Sequence, residues 1–206
     1  DWKPEKVGQS LCLQGLVELP LLRRQEVLRQ VASALGHGTP GQAHLEAIEA
    51  QLLQGRQDNK AQVQWDGLVL TSFNKRLFFL PATGLSSFGE SFEWDARQDL
   101  VLPNGRLRAI AAESGERLVL ASEPYRVCLR AGGERCQPIG RPHSQTLKRL
   151  LQEAELPPWL RALVPLVYLG KDLVAVGDLW VCEGFQALPG EPGQVLEWTL
   201  QAEVFD

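Results

Sequence analysis

The chain has 206 residues, 44% of them apolar and 22% charged, with 25 acidic against 21 basic side chains for a formal net charge of −4. These proportions exclude a disordered or collagen-like chain, and the length suits one large domain or two small ones. Asp1-Trp2-Lys3-Pro4 reads as neither a signal peptide nor an anchor, and no apolar run is long enough for a membrane span, so a cytoplasmic protein with no membrane partner is expected.

Leu21, Leu28, Val31 and Leu35 recur at roughly helical spacing and Gly36 follows them, which predicts a helix from Leu21 to Leu35 with a glycine C-cap. Thr39-Pro40-Gly41-Gln42 has the form of a capping box with proline in the first turn, so a second helix is expected to start at Pro40. It would bury Leu45, Ile48, Leu52 and Leu53 and end at Gly55. Gln62 to Trp65 alternates polar and apolar, Asp66-Gly67 is a two-residue hairpin signal, and Leu68 to Leu70 continues as the partner strand. A third strand, Arg76 to Leu80, is expected after a turn at Asn74-Lys75.

Strand signals persist at 91–94, 100–102, 106–111, 117–120 and 125–129, with a hairpin turn expected at Asn104-Gly105. Ser144 is placed to cap a helix whose stripe is Leu147, Leu150, Leu151 and Ala154. Pro157-Pro158 breaks that helix, and further strands are expected at 167–169, 173–176, 179–181 and 196–204. The predicted class is α+β: an N-terminal helical pair with β-hairpins over 1–80, a strand-rich connector over 81–134, and a C-terminal α+β domain with antiparallel strands over 135–206.

Few residues invite chemistry. Gly36-His37-Gly38-Thr39-Pro40-Gly41 matches G-x-G-x-x-G, but a dinucleotide site needs a strand before that turn and here a helix precedes it. It reads as an interhelical turn. His37, His44 and His143 lie near no nucleophile motif, and a hydrolase using His143 with Ser144 is the weakest reading. No catalytic residue is assigned. The four cysteines, Cys12, Cys128, Cys136 and Cys182, form no C-x-x-C pair. Buried reduced thiols are expected, with no metal site and no disulfide framework.

Charge is unevenly distributed. Between Arg135 and Lys171, six basic residues (Arg135, Arg141, Lys148, Arg149, Arg161, Lys171) face two acidic ones (Glu153, Glu155), a local +4. From Asp172 to Asp206 there are seven acidic residues and no Lys or Arg. Lys148 and Arg149 fall off the leucine stripe, so both should face solvent. Arg141, His143 and the amides near Ser144 could hold a phosphate together. Arg23, Arg24 and Arg29 on the first helix, and Arg56 after the second, carry the same two readings: anion contact or ordinary solvated charge.

The blocks Leu147-Lys148-Arg149-Leu150-Leu151-Gln152-Glu153, Leu156-Pro157-Pro158-Trp159-Leu160-Arg161, Val164-Pro165-Leu166-Val167-Tyr168 and Val174-Ala175-Val176-Gly177-Asp178 resemble, in order and spacing, the C-terminal domain of bacterial tRNA(Ile)-lysidine synthetases. Leu22-Arg23-Arg24-Gln25-Glu26-Val27-Leu28-Arg29, Gly36-His37, Thr39-Pro40 and His44-Leu45 resemble that family's middle, substrate-binding domain.

The resemblance implies a ligase that joins lysine to C2 of the wobble cytidine of an isoleucine tRNA, with ATP, through an adenylated cytidine. The modified tRNA reads AUA and is charged with isoleucine instead of methionine. Chemistry in the family belongs to an N-terminal ATP-pyrophosphatase domain with a Ser-Gly-Gly-x-Asp-Ser loop. That loop is absent here, as is methionine, so the chain is expected to be a fragment lacking the catalytic domain. It would need no cofactor of its own; ATP with magnesium, and L-lysine, would be bound by the missing part. The implied partner is an isoleucine tRNA with a CAU anticodon, held by Arg141, His143, Ser144, Lys148, Arg149, Arg161 and Lys171 and by Arg23, Arg24, Arg29 and Arg56. The alternative is a protein-interaction or homodimerisation module, its acidic segment docked on a neighbour's basic belt.

Overall fold

A computed structural model describes residues 9–54 and 61–200, which divide between two compact units, residues 9–85 and 86–200. The first unit opens with strand β1 (Ser10–Cys12), helix α1 (Leu13–Val17) and helix α2 (Leu21–Ala34). Gly36, at φ 80°, ends α2 as the sequence predicts: its N–H donates to the Ser33 carbonyl and that of His37 to Ala32, both at 3.0 Å, the paired bonds of a Schellman cap.

The capping box does not form. Helix α3 (Gln42–Ala47) starts two residues after Pro40, with Gly41 as its cap and no side-chain cap bond. The preceding turn is anchored elsewhere. The Trp65 indole donates to the Gly38 carbonyl at 2.8 Å, and the Gly38 N–H donates to the Asp66 carboxylate, so the chain leaves this anchor non-helical and enters the helix late. A π-helical segment (Ile48–Leu53) continues α3, and its wider turn buries Ile48, Leu52 and Leu53 together with Leu45. Gly55 lies outside the described residues.

Strands β2 (Gln62–Trp65), β3 (Leu68–Phe73) and β4 (Arg76–Pro81) join β1 in an antiparallel sheet of order β1-β4-β3-β2. Both expected hairpin turns are present, with φ of 40° and 77° at Asp66-Gly67 and 45° and 61° at Asn74-Lys75. Two consecutive positive φ values define the mirror-image turn that matches strand twist. The helices cover this sheet through Leu28, Ala32, Leu45 and Ile48 against Trp65, Leu68, Leu70 and Leu77.

The second unit is built on two antiparallel sheets. Its elements are β5 (Phe92–Trp94), β6 (Leu100–Leu102), β7 (Gly105–Ala112), β8 (Leu118–Val119), β9 (Tyr125–Cys128), β10 (Arg135–Cys136), β11 (Gln145–Thr146), α4 (Leu147–Glu153), β12 (Leu166–Leu169), β13 (Asp172–Val176), β14 (Trp180–Val181) and β15 (Gly193–Leu200). One sheet has the order β14-β13-β12-β9-β5 and the other β6-β7-β15-β8, with β10 and β11 as a separate short ladder. Residues 81–134, read from sequence as a connector, thus supply strands that pair directly with strands beyond residue 165. The α+β class with antiparallel strands is present throughout.

One turn and one helix cap shift. Leu102 pairs with Gly105, so the two-residue turn is Pro103-Asn104 rather than Asn104-Gly105. Asn104 is buried and its side-chain amide donates to the Leu163 carbonyl at 2.8 Å, which fixes it inside the unit. Ser144 does not cap α4. Gln145 and Thr146 are taken up by pairing with Cys136 and Arg135, so the helix begins at Leu147 with Thr146 as its cap residue. The leucine stripe is as expected, with Leu147, Leu150 and Leu151 fully buried.

Arg117 is also buried. Its guanidinium donates to the carbonyls of Glu191 at 2.9 Å, Leu188 at 3.1 Å and Ala112 at 3.3 Å, and lies 3.5 Å from that of Ala187. Gly193 makes room for it: a Cβ there would sit 2.8 Å from the Arg117 Cβ and 2.6 Å from that of Ala187.

Candidate nucleic-acid interface

The expected cations divide into those the protein uses internally and those it offers to solvent. In residues 9–85, Arg23 is exposed on α2, Arg29 is half-buried, and Arg24 is committed. The Arg24 guanidinium pairs with Glu49 at 2.5 Å and donates to the Leu19 carbonyl at 3.0 Å, tying α2 to the π-helical segment. Arg56 lies outside the described residues. The G-x-G-x-x-G turn is structural, because its Gly38 amide is already occupied by Asp66.

In residues 86–200 the strongest feature is α4. Burial of Leu147, Leu150 and Leu151 turns Lys148 and Arg149 outward, and both are exposed. Arg141 approaches the same surface from the preceding loop. Glu153 stands between the two arginines, accepting from Arg149 Nε at 2.8 Å and Arg141 Nη1 at 3.0 Å. The bonds from Arg149 and then Arg141 hold its carboxyl below the usual carboxylate range. The pairs therefore persist as the pH falls, until it passes that lowered value.

Part of the phosphate cradle expected around Ser144 is engaged internally. Leu147 N–H, the first amide of the helix, already donates to the Glu134 carbonyl at 2.9 Å, and the Ser144 carbonyl accepts from Arg135 at 2.7 Å. His143 and Ser144 are exposed loop residues, Lys171 is exposed in the turn between β12 and β13, and Arg161 is half-buried with Nε donating to the Leu156 carbonyl at 2.7 Å. Burial, and then the positive charge of Arg130, push the Arg161 guanidinium pKa below its ordinary value.

Sequence reasoning missed Arg126, whereas Arg130 is half-buried and pairs with Glu134 at 3.9 Å. Arg126 projects from β9 on the face opposite buried Val127, and its guanidinium stacks 4.4 Å from the centre of the Tyr168 ring on β12. The period-two alternation of Tyr125-Arg126-Val127-Cys128 carried that signal, but the stacking partner lies on another strand. Other cations are paired at home: Arg108 with Glu197 at 3.3 Å and Arg106 with Asp99 at 3.4 Å. Glu197 shows that part of the acidic C-terminal stretch is used inside its own sheet.

Among the described residues no group of three or more His, Cys, Asp or Glu side chains could hold a metal ion, and no helix is long and apolar enough to cross a membrane. Two clefts in this unit, of about 260 and 310 Å³, are lined by residues such as Asp95, Arg97 and Tyr125 and by Arg106, Arg108 and Thr199. Neither is lined by a histidine or cysteine. The surface around α4 presents exposed cations, with Lys148, Arg149 and Arg141 grouped about Glu153.

Removing the carboxylate between the arginines tests whether they are in play. Glu153→Gln is expected to raise RNA affinity a fewfold and steepen its salt dependence while leaving the melting temperature nearly unchanged. Affinity and slope equal to the parent, read by fluorescence anisotropy over a salt series, would take this surface out of the interface.

Comparison with known proteins matches residues 11–78 to the model described as TilS substrate binding domain and residues 125–198 to that described as TilS substrate C-terminal domain. The tRNA(Ile)-lysidine synthase of Coxiella burnetii is 33% identical over 193 residues, covering 92% of this chain and 41% of the relative. That of Alkalilimnicola ehrlichii is 33% identical over 186 residues, covering 89% and 42%. The chain therefore spans less than half the length of these relatives. A solved structure described as "Crystal structure of TILS C-terminal domain" aligns at a TM-score of 0.41 and 20% identity over 54% of this chain and 98% of that one, too loose a likeness to place a residue.

Proposed function

Because the chain belongs to the tRNA(Ile)-lysidine synthase family through its substrate-binding and substrate C-terminal domains, we propose that it is the tRNA-holding portion of such a ligase. In this reading it grips an isoleucine tRNA with a CAU anticodon away from the wobble base, and helps to separate it from the methionine tRNA that shares the anticodon. Lysine, ATP and magnesium are handled by the catalytic part of the enzyme, and the reaction is cytoplasmic.

The observation that carries the reading is the presence of both tRNA-enzyme domains in one chain, in order, the second exposing Lys148 and Arg149 on a helix whose other face is buried. A-form RNA hides its base edges in a deep groove, so a protein reads it through phosphates, 2′-hydroxyls and the shallow groove. Exposed arginine and lysine suit such contacts, since arginine offers a fork to phosphate oxygens and lysine a compact charge. Arg141, Lys148, Arg149, Arg161 and Lys171 are the contacts proposed on the C-terminal unit, and Arg23 and Arg29 on the first.

Titrating the 206-residue chain against the isoleucine tRNA and the elongator methionine tRNA, from low to physiological salt, tests this directly. The expected result is a log-linear loss of affinity with salt and tighter binding of the isoleucine tRNA. No binding of either tRNA at low salt, together with a salt-sensitive dimer in sedimentation, would replace the reading with the dimerisation one.

A further inference from the structure

Cys136 and Cys182 are 46 positions apart in sequence, yet their sulfurs lie 2.8 Å from one another in the interior of residues 86–200. The backbone brings them together. Pro138 forms an antiparallel bridge with Cys182, Ile139 N–H donates to the Val181 carbonyl at 3.2 Å, and Glu183 N–H donates to the Gln137 carbonyl at 2.7 Å. The segment after β10 thus runs alongside the end of β14, and a bond between the sulfurs, about 2.05 Å long, requires only a small approach. Of the other two thiols, Cys12 is exposed on β1 of the first unit, and Cys128 is half-buried beside Arg126.

We propose that Cys136 and Cys182 form an oxidisable dithiol site, whose co-reactant is a small-molecule disulfide and whose product is an intramolecular disulfide. One thiolate attacks the small disulfide, releasing one small thiol and leaving a mixed disulfide on the protein. The second thiolate attacks the protein sulfur of that mixed disulfide, releasing the second small thiol. The two protein protons end on the two released thiols, so the protein loses two electrons and the small disulfide gains them.

The hydrogen bond with Cys136, and then burial, push the Cys182 thiol up, so Cys182 rests as the thiol. The β10–β11 ladder beside Cys136 is only two residue pairs long, so local opening there would expose the thiols. Once formed, the bond ties β10, whose partner β11 leads directly into α4, to the β13–β14 hairpin.

The test uses the full 206-residue chain, reduced and freed of reductant, then incubated with oxidised glutathione and alkylated with iodoacetamide. Peptide mapping is expected to find the Cys136 and Cys182 peptides joined, with Cys12 and Cys128 alkylated. The oxidised chain is expected to melt about 10 °C higher, a shift that dithiothreitol reverses. Cys136→Ser and Cys182→Ser should each lose both the cross-link and the shift. Alkylation of both residues after oxidation, a cross-link to Cys12 or Cys128 instead, or arrest at glutathione adducts would overturn the proposal. The map of the unsubstituted chain decides the matter even if a serine variant folds poorly.

Discussion

Arg117→Ala is expected to destabilise the unit of residues 86–200 by about 3 to 5 kcal/mol, enough to consume much of the stability of an ordinary domain. The guanidinium serves the carbonyls of Ala112, Leu188 and Glu191, and reaches towards that of Ala187, from a buried position. Truncation leaves those acceptors without a donor where water has little access, and opens a cavity where the stem packed. Arg117→Lys should recover only part of the loss, because a single ammonium cannot span acceptors on separate segments. Urea unfolding of the three proteins measures this; a midpoint for Arg117→Ala equal to that of the parent would show that these bonds contribute nothing net.

The second large effect concerns RNA. Lys148→Glu combined with Arg149→Glu, made in the full synthase, is expected to weaken tRNA binding about 100-fold at low salt and to lower the salt slope by roughly 1.5 to 2. Both side chains are exposed, so the variant should melt close to the parent. The slope makes the result specific, because a distant structural defect would lower affinity without releasing fewer counterions. Parental affinity and slope would remove α4 from the interface and leave the exposed Arg126 and Lys171 as the cations to test next.

What could be read from sequence was decided locally. Asp66-Gly67 and Asn74-Lys75 supply residues that tolerate positive φ where two apolar strands must reverse, and Gly36 supplies it where α2 must stop, so each appears as expected. The failures share a cause. Thr39 and Ser144 are good caps by type, but one turn is held by Trp65 and Asp66 of a later hairpin, and the other segment is drawn into pairing with β10. Asn104 reads as the first residue of its turn because Leu163, its partner, is invisible from a dipeptide.

The candidate site was legible in the same measure. Helical periodicity placed Lys148 and Arg149 in solvent, and the structure has them there. It could not show that Arg24 would be engaged by Glu49, that Glu153 would stand between Arg141 and Arg149, or that Arg126 would lie on Tyr168. A charge count treats these side chains alike, whereas tertiary partners decide which remain available.

The pairing of β15 with β7 joins Gly105 to Leu200 and Ala112 to Gly193. On a ribosome this sets an order of events. Residues 9–85 have emerged whole while β7 is still without its neighbour, so that strand must wait, one edge bare, for most of the second unit to be made. A nascent chain stalled before residue 193 should carry a finished first unit and an unfinished second one, and that interval is when the protein most needs a chaperone.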